Sequence, residues 1–448
     1  MKKNIIHTIS IIVFTLFISC SDYLEKLPSN VITPSQTTDY DEMLNSFSLF
    51  RSMPDEYIYL SDASSLYFAQ QPFGAKENAF FWEVDLMYSY GNSPNLWNVP
   101  YSKIYTYNVV IDGVMSSEGG SESKKKEILA EAKLGKAFEL FYLANTFCKQ
   151  YDIATASNDP GIPLVYSIDV AEPIPGRGTL QETYDFIIES LQQAIPNLPM
   201  NNTDRFRGSK LAAYGLLARI YYYMSNYEEA EKYAEEVLKI NNTIVDLNTV
   251  TNYADYQIKD NPEEIYIRVI SGGANGPQVA LASNHINLYN TQDDLRFFNR
   301  NYIINIFGGY ENFRELNFGI SVQEMIFIAA EAKTRKNELS DALILINNFL
   351  RTRIDNTVYT DFTSTNQEEV LNWVLAERRK ELYFRGLRWF DMRKLSKEGK
   401  MPNLTREYTN FNTGVTTTYT LEGNSKKYTL LIPEVVMSFN PDMPQNER

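Results

Sequence analysis

From Ser209 to Ile240 the chain reads SKLAAYGLLARIYYYMSNYEEAEKYAEEVLKI, and this stretch decides the fold. Apolar and small residues recur at helical spacing, first at Tyr214, Leu217, Ala218 and Tyr221, then at Tyr227, Ala230, Ala234 and Val237. Met224-Ser225-Asn226 breaks the two runs with a turn. Ala218 and Ala230 stand twelve positions apart, the spacing at which tetratricopeptide repeats place one small residue on each helix so that the two can cross closely. A single such match also fits two amphipathic helices of an ordinary bundle.

The pattern returns between Ser321 and Arg353, with Ile326, Ala329 and Ala330 on one helix and Leu339, Ala342, Ile346 and Phe349 on the next. Ala330 and Ala342 repeat the twelve-residue spacing, which favours the repeat over the bundle. A third pair is expected from Ile128–Phe147 and Leu180–Ile195, split by a Pro/Gly-rich insertion from Asp159 to Gly178, and a fourth helical stretch from Asn366 to Leu395. The fold class is therefore mostly α: a tetratricopeptide-like helix-pair scaffold with helix units near 128–195, 209–240, 321–353 and 366–395. Long inserted loops and a few short β pieces, such as Glu264–Ile270, complete it.

Two inserts near 70–98 and 241–319 differ in composition. The first carries Phe80, Phe81, Trp82, Tyr88 and Tyr90 among Gly, Asn and Pro; the second carries the aromatic, polar run Asn284–Tyr310. Structured loops on a rigid helical frame are where binding residues concentrate. Sugar rings stack apolar C–H faces on aromatic side chains and satisfy hydroxyls with amides, guanidinium and phenol groups. Trp82, Tyr88, Tyr90, Asn287, Tyr289, Arg296 and Tyr302 supply those types and are the candidate ligand-binding residues. Among the four Trp, Trp97 leads a helix and is assigned to the core, Trp373 falls on an apolar stripe, and Trp389 lies within a charged, aromatic segment. By elimination, Trp82 is expected to be the exposed platform.

At the start, Lys2 and Lys3 precede an apolar run from Ile5 to Ile18 that ends in Ser19-Cys20. This reads as a lipoprotein signal peptide over residues 1–19, with Cys20 as the acylated new N-terminus and residues 20–40 as a Pro-punctuated, lipidated tether. Acyl chains such as palmitate supply the anchor, because the apolar run is too short to span a bilayer. Residues 41–448 are then expected to form a single domain.

The 448-residue chain has a formal charge of −14, and loss of Lys2 and Lys3 leaves the remainder more acidic still. Such a surface repels nucleic acid. With 2 Cys and 2 His, one of each near the N-terminus, neither a disulfide framework nor a His-rich zinc site has material, and no cofactor or metal is expected. The 56 acidic residues allow carboxylate pairs, but no stretch stands out as a glycosidase pair. Binding without chemistry is favoured over catalysis, and a pure assembly role on the helical scaffold remains open.

The segment Glu377-Arg378-Arg379-Lys380-Glu381-Leu382-Tyr383-Phe384-Arg385-Gly386-Leu387-Arg388-Trp389-Phe390-Asp391-Met392-Arg393 closely resembles the C-terminal signature of the SusD/RagB family. The ending Ile432-Pro433-Glu434, Asn440-Pro441 and Gln445-Asn446 resembles that family's close, Cys20–Glu25 its mature start, and Trp97, Tyr101, Ile104 and Asn108 its early helix. Read physically, the signature is a structural buckle of ion pairs around Leu382, Phe384 and Trp389, with Gly386 at a turn and Arg388 and Asp391 placed to pair or cap. The resemblance implies a lipid-anchored outer-membrane protein on the cell surface of Bacteroidetes-type bacteria. Such a protein captures a nutrient, usually a glycan and in some relatives a peptide, and delivers it to a SusC-like TonB-dependent transporter. The chain is expected to be short for that family, with 241–319 as its reduced part.

Overall fold

A computed structural model describes residues 34–51, 53–66, 69, 74–83, 95–250, 258–270, 279–297 and 316–448. The chain enters through α1 (Thr37–Leu44), α2 (Phe47–Phe50), α3 (Glu56–Leu60), strand β1 (Ser64–Leu66) and α4 (Ala75–Phe80). The expected tether over 20–40 ends sooner than its composition suggested. Glu118 N–H donates to the Ser35 carbonyl at 2.8 Å, Thr37 N–H donates to the Glu118 carbonyl at 2.8 Å, and α1 has begun by Thr37. Asp39 accepts from the backbone of Gln36 at 2.8 Å and so caps that helix.

The scaffold follows as α5 (Asn95–Gly113), α6 (Glu122–Phe147), α7 (Leu180–Ala194), α8 (Lys210–Tyr223) and α9 (Tyr227–Ile240). From Ala130 to Phe147, α6 is buried at every residue but Lys133, its polar Glu131, Lys136 and Glu139 included, and both α5 and α7 pack on it. Helix starts are set by local chemistry. The hydroxyl of Ser209 accepts from Ala212 N–H at 3.1 Å, Asn226 accepts from Glu229 N–H at 3.2 Å, and Thr179 with Glu182 forms a reciprocal capping box. Between α8 and α9, Ser225 takes a left-handed conformation (φ 60°) and closes the predicted turn.

Short strands β2 (Glu264–Tyr266) and β3 (Val279–Leu281), helix α10 (Ser283–Ile286) and strand β4 (Ile320–Ser321) lead into α11 (Val322–Arg335), α12 (Leu339–Leu350), α13 (Gln367–Glu381) and α14 (Arg388–Lys397). β1 pairs antiparallel with β3, Ser65 opposite Ala280, and β2 pairs with β4. α9 packs on α11, which also carries α12 and α13, so the helix pairs stack as the repeat spacing predicted. Ala218, Ala230, Ala330 and Ala342 are all fully buried. The chain closes with the hairpin β5 (Leu404–Thr409) and β6 (Thr416–Leu421) and helix α15 (Glu434–Phe439). One cluster of buried side chains runs from Met53 to Met443.

Both ends of the expected family close are pinned. The Gln445 side chain brackets Ile432, accepting from its N–H and donating to its carbonyl at 2.8 Å each. Asn446 donates to the carbonyls of Phe147 (2.7 Å) and Leu430 (2.6 Å), while buried Arg177 donates to the Pro444 carbonyl at 2.8 Å. None of the helices among the described residues is long and apolar enough to cross a membrane.

Candidate functional site

Hairpin β5–β6 follows from its residues. Leu404, Arg406 and Tyr408 alternate with exposed Thr405, Glu407 and Thr409, the partner strand is Thr-rich, and Gly414 (φ 69°) closes the turn. The inward row lands on the segment Phe80–Trp82. Phe81 meets the Tyr419 ring at 4.6 Å between centroids, and the Arg406 guanidinium lies over the Phe80 ring at 3.8 Å and the Trp82 ring at 4.2 Å. Four backbone carbonyls accept from Arg406: those of Tyr59 (3.0 Å), Ser61 (2.6 Å), Ser64 (3.5 Å) and Phe80. Burial pulls its acidity constant down to about 9, with Asp62 opposing the shift.

Between the hairpin, β1, Phe80–Trp82 and the start of α10 lies a cavity of about 530 Å³. Its walls alternate chemistry. Phe80, Phe81, Trp82, Leu66 and Tyr408 give apolar surface, Ser64, Ser65, Ser283, Asn284, Thr405 and Thr409 give short hydrogen-bonding groups, and Phe411 stands at the mouth, 84% exposed. Asp62 also lines the cavity. Arg388 holds it by two charge-assisted hydrogen bonds of 2.7 and 2.8 Å, and Arg379 stands 3.1 Å away. Although desolvation opposes them, these guanidiniums hold the Asp62 carboxyl well below the usual range.

The predicted site residues divide. Trp82 lines the cavity but is only 1% exposed, because its left-handed backbone (φ 57°) turns the ring inward and its indole N–H donates to the Leu60 carbonyl at 3.1 Å. The expectation of a free, exposed indole is corrected accordingly. Tyr289 is buried, its hydroxyl donating to the Lys380 carbonyl at 2.8 Å and facing His285 Nε2 at 3.1 Å. Arg296 is fully buried between Asp294 (2.7 Å), Glu377 (2.8 Å) and Glu381 (3.6 Å). Both are committed to partners inside the protein, beneath the signature segment. Asn287 is exposed, one turn beyond Ser283 and Asn284. Cys20, Tyr88, Tyr90 and Tyr302 lie outside the described residues.

The signature itself is a buckle, as its charge pattern suggested, with Leu382, Phe384 and Trp389 buried and Gly386 at φ 72°. Its ion pairs are mostly long-range. Arg385 pairs with Glu264 at 2.8 Å, and Arg353 reaches Glu381 at 3.3 Å and Glu263 at 2.6 Å. The expected local pairing of Arg388 with Asp391 gives way to Arg388–Asp62 and Arg378–Asp391, the latter at 3.2 Å. Sequence reading missed the β5–β6 hairpin altogether, although alternation over Leu404–Thr409 and the Asn-Thr-Gly turn signal it. Among the described residues, no group of three or more His, Cys, Asp or Glu is arranged to hold a metal ion.

Comparison with known proteins agrees with this architecture. Residues 22–222 match a SusD-like family described as starch-binding and associating with the outer membrane, and residues 322–448 match the SusD family. No curated protein matches the sequence. Among solved structures, a putative sugar-binding protein of Bacteroides vulgatus shares 21% identity at a TM-score of 0.72, over 93% of this chain and 99% of that one. A SusD superfamily protein of Bacteroides thetaiotaomicron shares 20% at 0.70, over 92% and 100%. A SusD-like carbohydrate-binding protein of Bacteroides vulgatus shares 18% at 0.66, over 91% and 97%. The mostly helical, tetratricopeptide-like scaffold, the buckle and the two family matches flanking the 241–319 insert place the chain in the SusD/RagB family.

Proposed function

We propose that this protein is a lipid-anchored, cell-surface glycan-binding protein that captures an oligosaccharide in the cavity beside the β5–β6 hairpin and passes it to a SusC-like TonB-dependent outer-membrane transporter. The observation that carries the reading is the cavity itself. About 530 Å³ holds a few sugar rings, within the usual range of roughly 300–1,000 Å³ for small-ligand sites. Aromatic walls beside short hydroxyl and amide side chains match the two-faced chemistry of a saccharide. The ligand residues we assign are Trp82 as a fixed wall, Phe411 at the mouth, and Ser65, Ser283, Asn284 and Thr405 as hydroxyl partners. Tyr88, Tyr90 and Tyr302 remain proposed contacts, Asn287 a proposed rim contact, and Tyr289 and Arg296 are proposed to support the wall from behind. Acylation at Cys20 supplies the anchor, and the bound sugar is passed on without being cleaved.

Titrating the purified protein by calorimetry against a glycan panel and a peptide panel, with chromatography of the recovered ligand, tests the reading. Binding of at least one oligosaccharide, recovered intact, is the expected result. Peptide binding with no sugar binding, or cleavage of the sugar, overturns it. The anchor has its own measurement: Cys20→Ala should leave the membrane fraction even in a strain lacking the transporter.

A further inference from the structure

We infer that the free edge of β5 is the hydrogen-bonding rail of this cavity, where the main-chain N–H and C=O groups of Thr405, Glu407 and Thr409 meet the hydroxyls of an oligosaccharide lying lengthwise along the strand. The inference rests on the glycan-binding reading above and deepens it, by assigning polar contacts to the backbone as well as to side chains.

Side chains on a strand alternate between its two faces. Yet all six residues of β5, Leu404 through Thr409, line the cavity, and none of β6 does. A space that touches both faces of one strand and misses its paired neighbour runs along the unpaired edge. The register says which groups that edge presents. Asn410 N–H donates to the Val415 carbonyl at 2.9 Å, so the next pair, Thr409 and Thr416, exchanges no backbone bonds, and its hydroxyls meet at 2.9 Å as in the closer kind of pair. Bonded and non-bonded pairs alternate along an antiparallel ladder, so Glu407 opposite Thr418 and Thr405 opposite Thr420 are non-bonded too. The N–H and C=O of Thr405, Glu407 and Thr409 therefore point away from β6, along the cavity. Among the described residues, no hydrogen bond from beyond the hairpin reaches them.

Across the cavity the free edge of β1 is already used at Ser64, whose N–H donates to the Ser61 carbonyl at 3.4 Å and whose carbonyl accepts from Arg406 at 3.5 Å. The rail on β5 is the open one. Its three outward residues span about 14 Å, at roughly 3.4 Å per residue, enough for several rings in a row. Unpaired backbone donors and acceptors call for a partner that offers both, and a sugar hydroxyl does. A saccharide is favoured over an added peptide strand because aromatic wall, Phe80–Trp82, lies beside the edge with Phe411 at the mouth. Rings stack on such a wall, whereas an added strand needs separate pockets for its alternate side chains.

The probe is the tightest binder, by calorimetry, among linear malto-, cello-, xylo- and β-1,3-gluco-hexasaccharides. Proline removes one N–H, and at an outward position the ladder does not use it. Glu407→Pro and Thr409→Pro should each weaken binding about tenfold or more beyond the loss in Glu407→Ala and Thr409→Ala, the scale of one polar group left without its partner. Thr418→Pro puts the same ring on the outward position of β6, away from the cavity, and should bind as the parent does. Circular dichroism identifies any variant that fails to fold. Hydrogen exchange on the unmodified protein needs no variant: bound sugar should slow the amides of Thr405, Glu407 and Thr409 and leave those of Thr418 and Thr420 unchanged. A sugar that binds without slowing the β5 amides overturns the rail and leaves the glycan reading standing. So do folded proline variants that bind like their alanine counterparts. Failure of all four sugars overturns both readings, and a hexapeptide pool that then slows the same amides would make the edge a site for an added strand.

Discussion

Arg388 grips Asp62 across 326 residues of sequence, Nε to Oδ1 at 2.7 Å and Nη2 to Oδ2 at 2.8 Å, and so ties the signature helix α14 to the floor of the cavity. Removing the acid leaves Arg388 and Arg379 buried without their counter-charge. Asp62→Ala should therefore destabilise the fold by about 3–5 kcal/mol, read as a lower urea midpoint. The pH dependence has a definite sign. Because the folded carboxyl is held far below its unfolded value, its contribution is present at neutral pH and is lost as pH falls below about 4. The variant should lack that part of the acid-induced loss. An unchanged midpoint would remove the structural role assigned to the pair.

Glu56 titrates in the opposite sense. It is buried on α3, beside Asp55 and hydrogen-bonded to Asn95 at 2.9 Å, and burial raises it to about 7. A carboxyl that prefers its proton when folded favours the folded state below its unfolded value of about 4.3, and this advantage is lost as pH rises through 7. Glu56→Gln fixes the neutral form. Its melting temperature should exceed that of the parent at pH 8, by the equivalent of about 1–3 kcal/mol, and match it near pH 4. A gain of equal size at both values would mean that the effect is not titration.

The helix pairs were legible because their information is local. Ala218 and Ala230, or Ala330 and Ala342, declare a close crossing by their size and spacing alone, and the caps at Ser209 and Asn226 need only three residues each. The ligand side was legible only in part. Trp82 has the composition of a stacking platform, but its burial in the cavity wall depends on Leu60 and on Arg406, more than three hundred residues further on. Arg296 and Tyr289 have the composition of binding residues, yet two of the three acids that enclose Arg296 come from α13. No local pattern shows which of two distant carboxylates an arginine will choose.

The close crossing makes its own test. Ala218 and Ala330 are fully buried in α8 and α11, helices already locked by Arg219 and Glu324 at 2.6 Å. Ala218→Leu and Ala330→Leu should each cost ~1–3 kcal/mol, because added methylenes must push the helices apart. Unfolding midpoints equal to the parent in both variants would contradict tight packing at these positions.

The last test separates wall from platform. Trp82 and Phe411 both line the cavity, but Trp82 is enclosed by Leu60, Arg406 and the aromatic cluster, whereas Phe411 projects from the β5–β6 turn with most of its surface in water. Truncating a ring in those two settings has different consequences. Trp82→Ala opens a void in packed surroundings and should lower stability by about 3–5 kcal/mol, whatever it does to binding. Phe411→Ala removes almost no packing and should change stability by less than about 0.5 kcal/mol. If Phe411 is the surface on which a sugar ring rests, the same change should weaken oligosaccharide binding by about 1–2 kcal/mol, the scale of one aromatic contact. Thermal unfolding and calorimetric titration on the two variants give four numbers, and the reading requires a large stability loss for Trp82 alone and a clean affinity loss for Phe411. Unchanged affinity in Phe411→Ala would show that the mouth of the cavity does not touch the ligand, and the stacking surface would then have to come from Tyr88, Tyr90 or Tyr302.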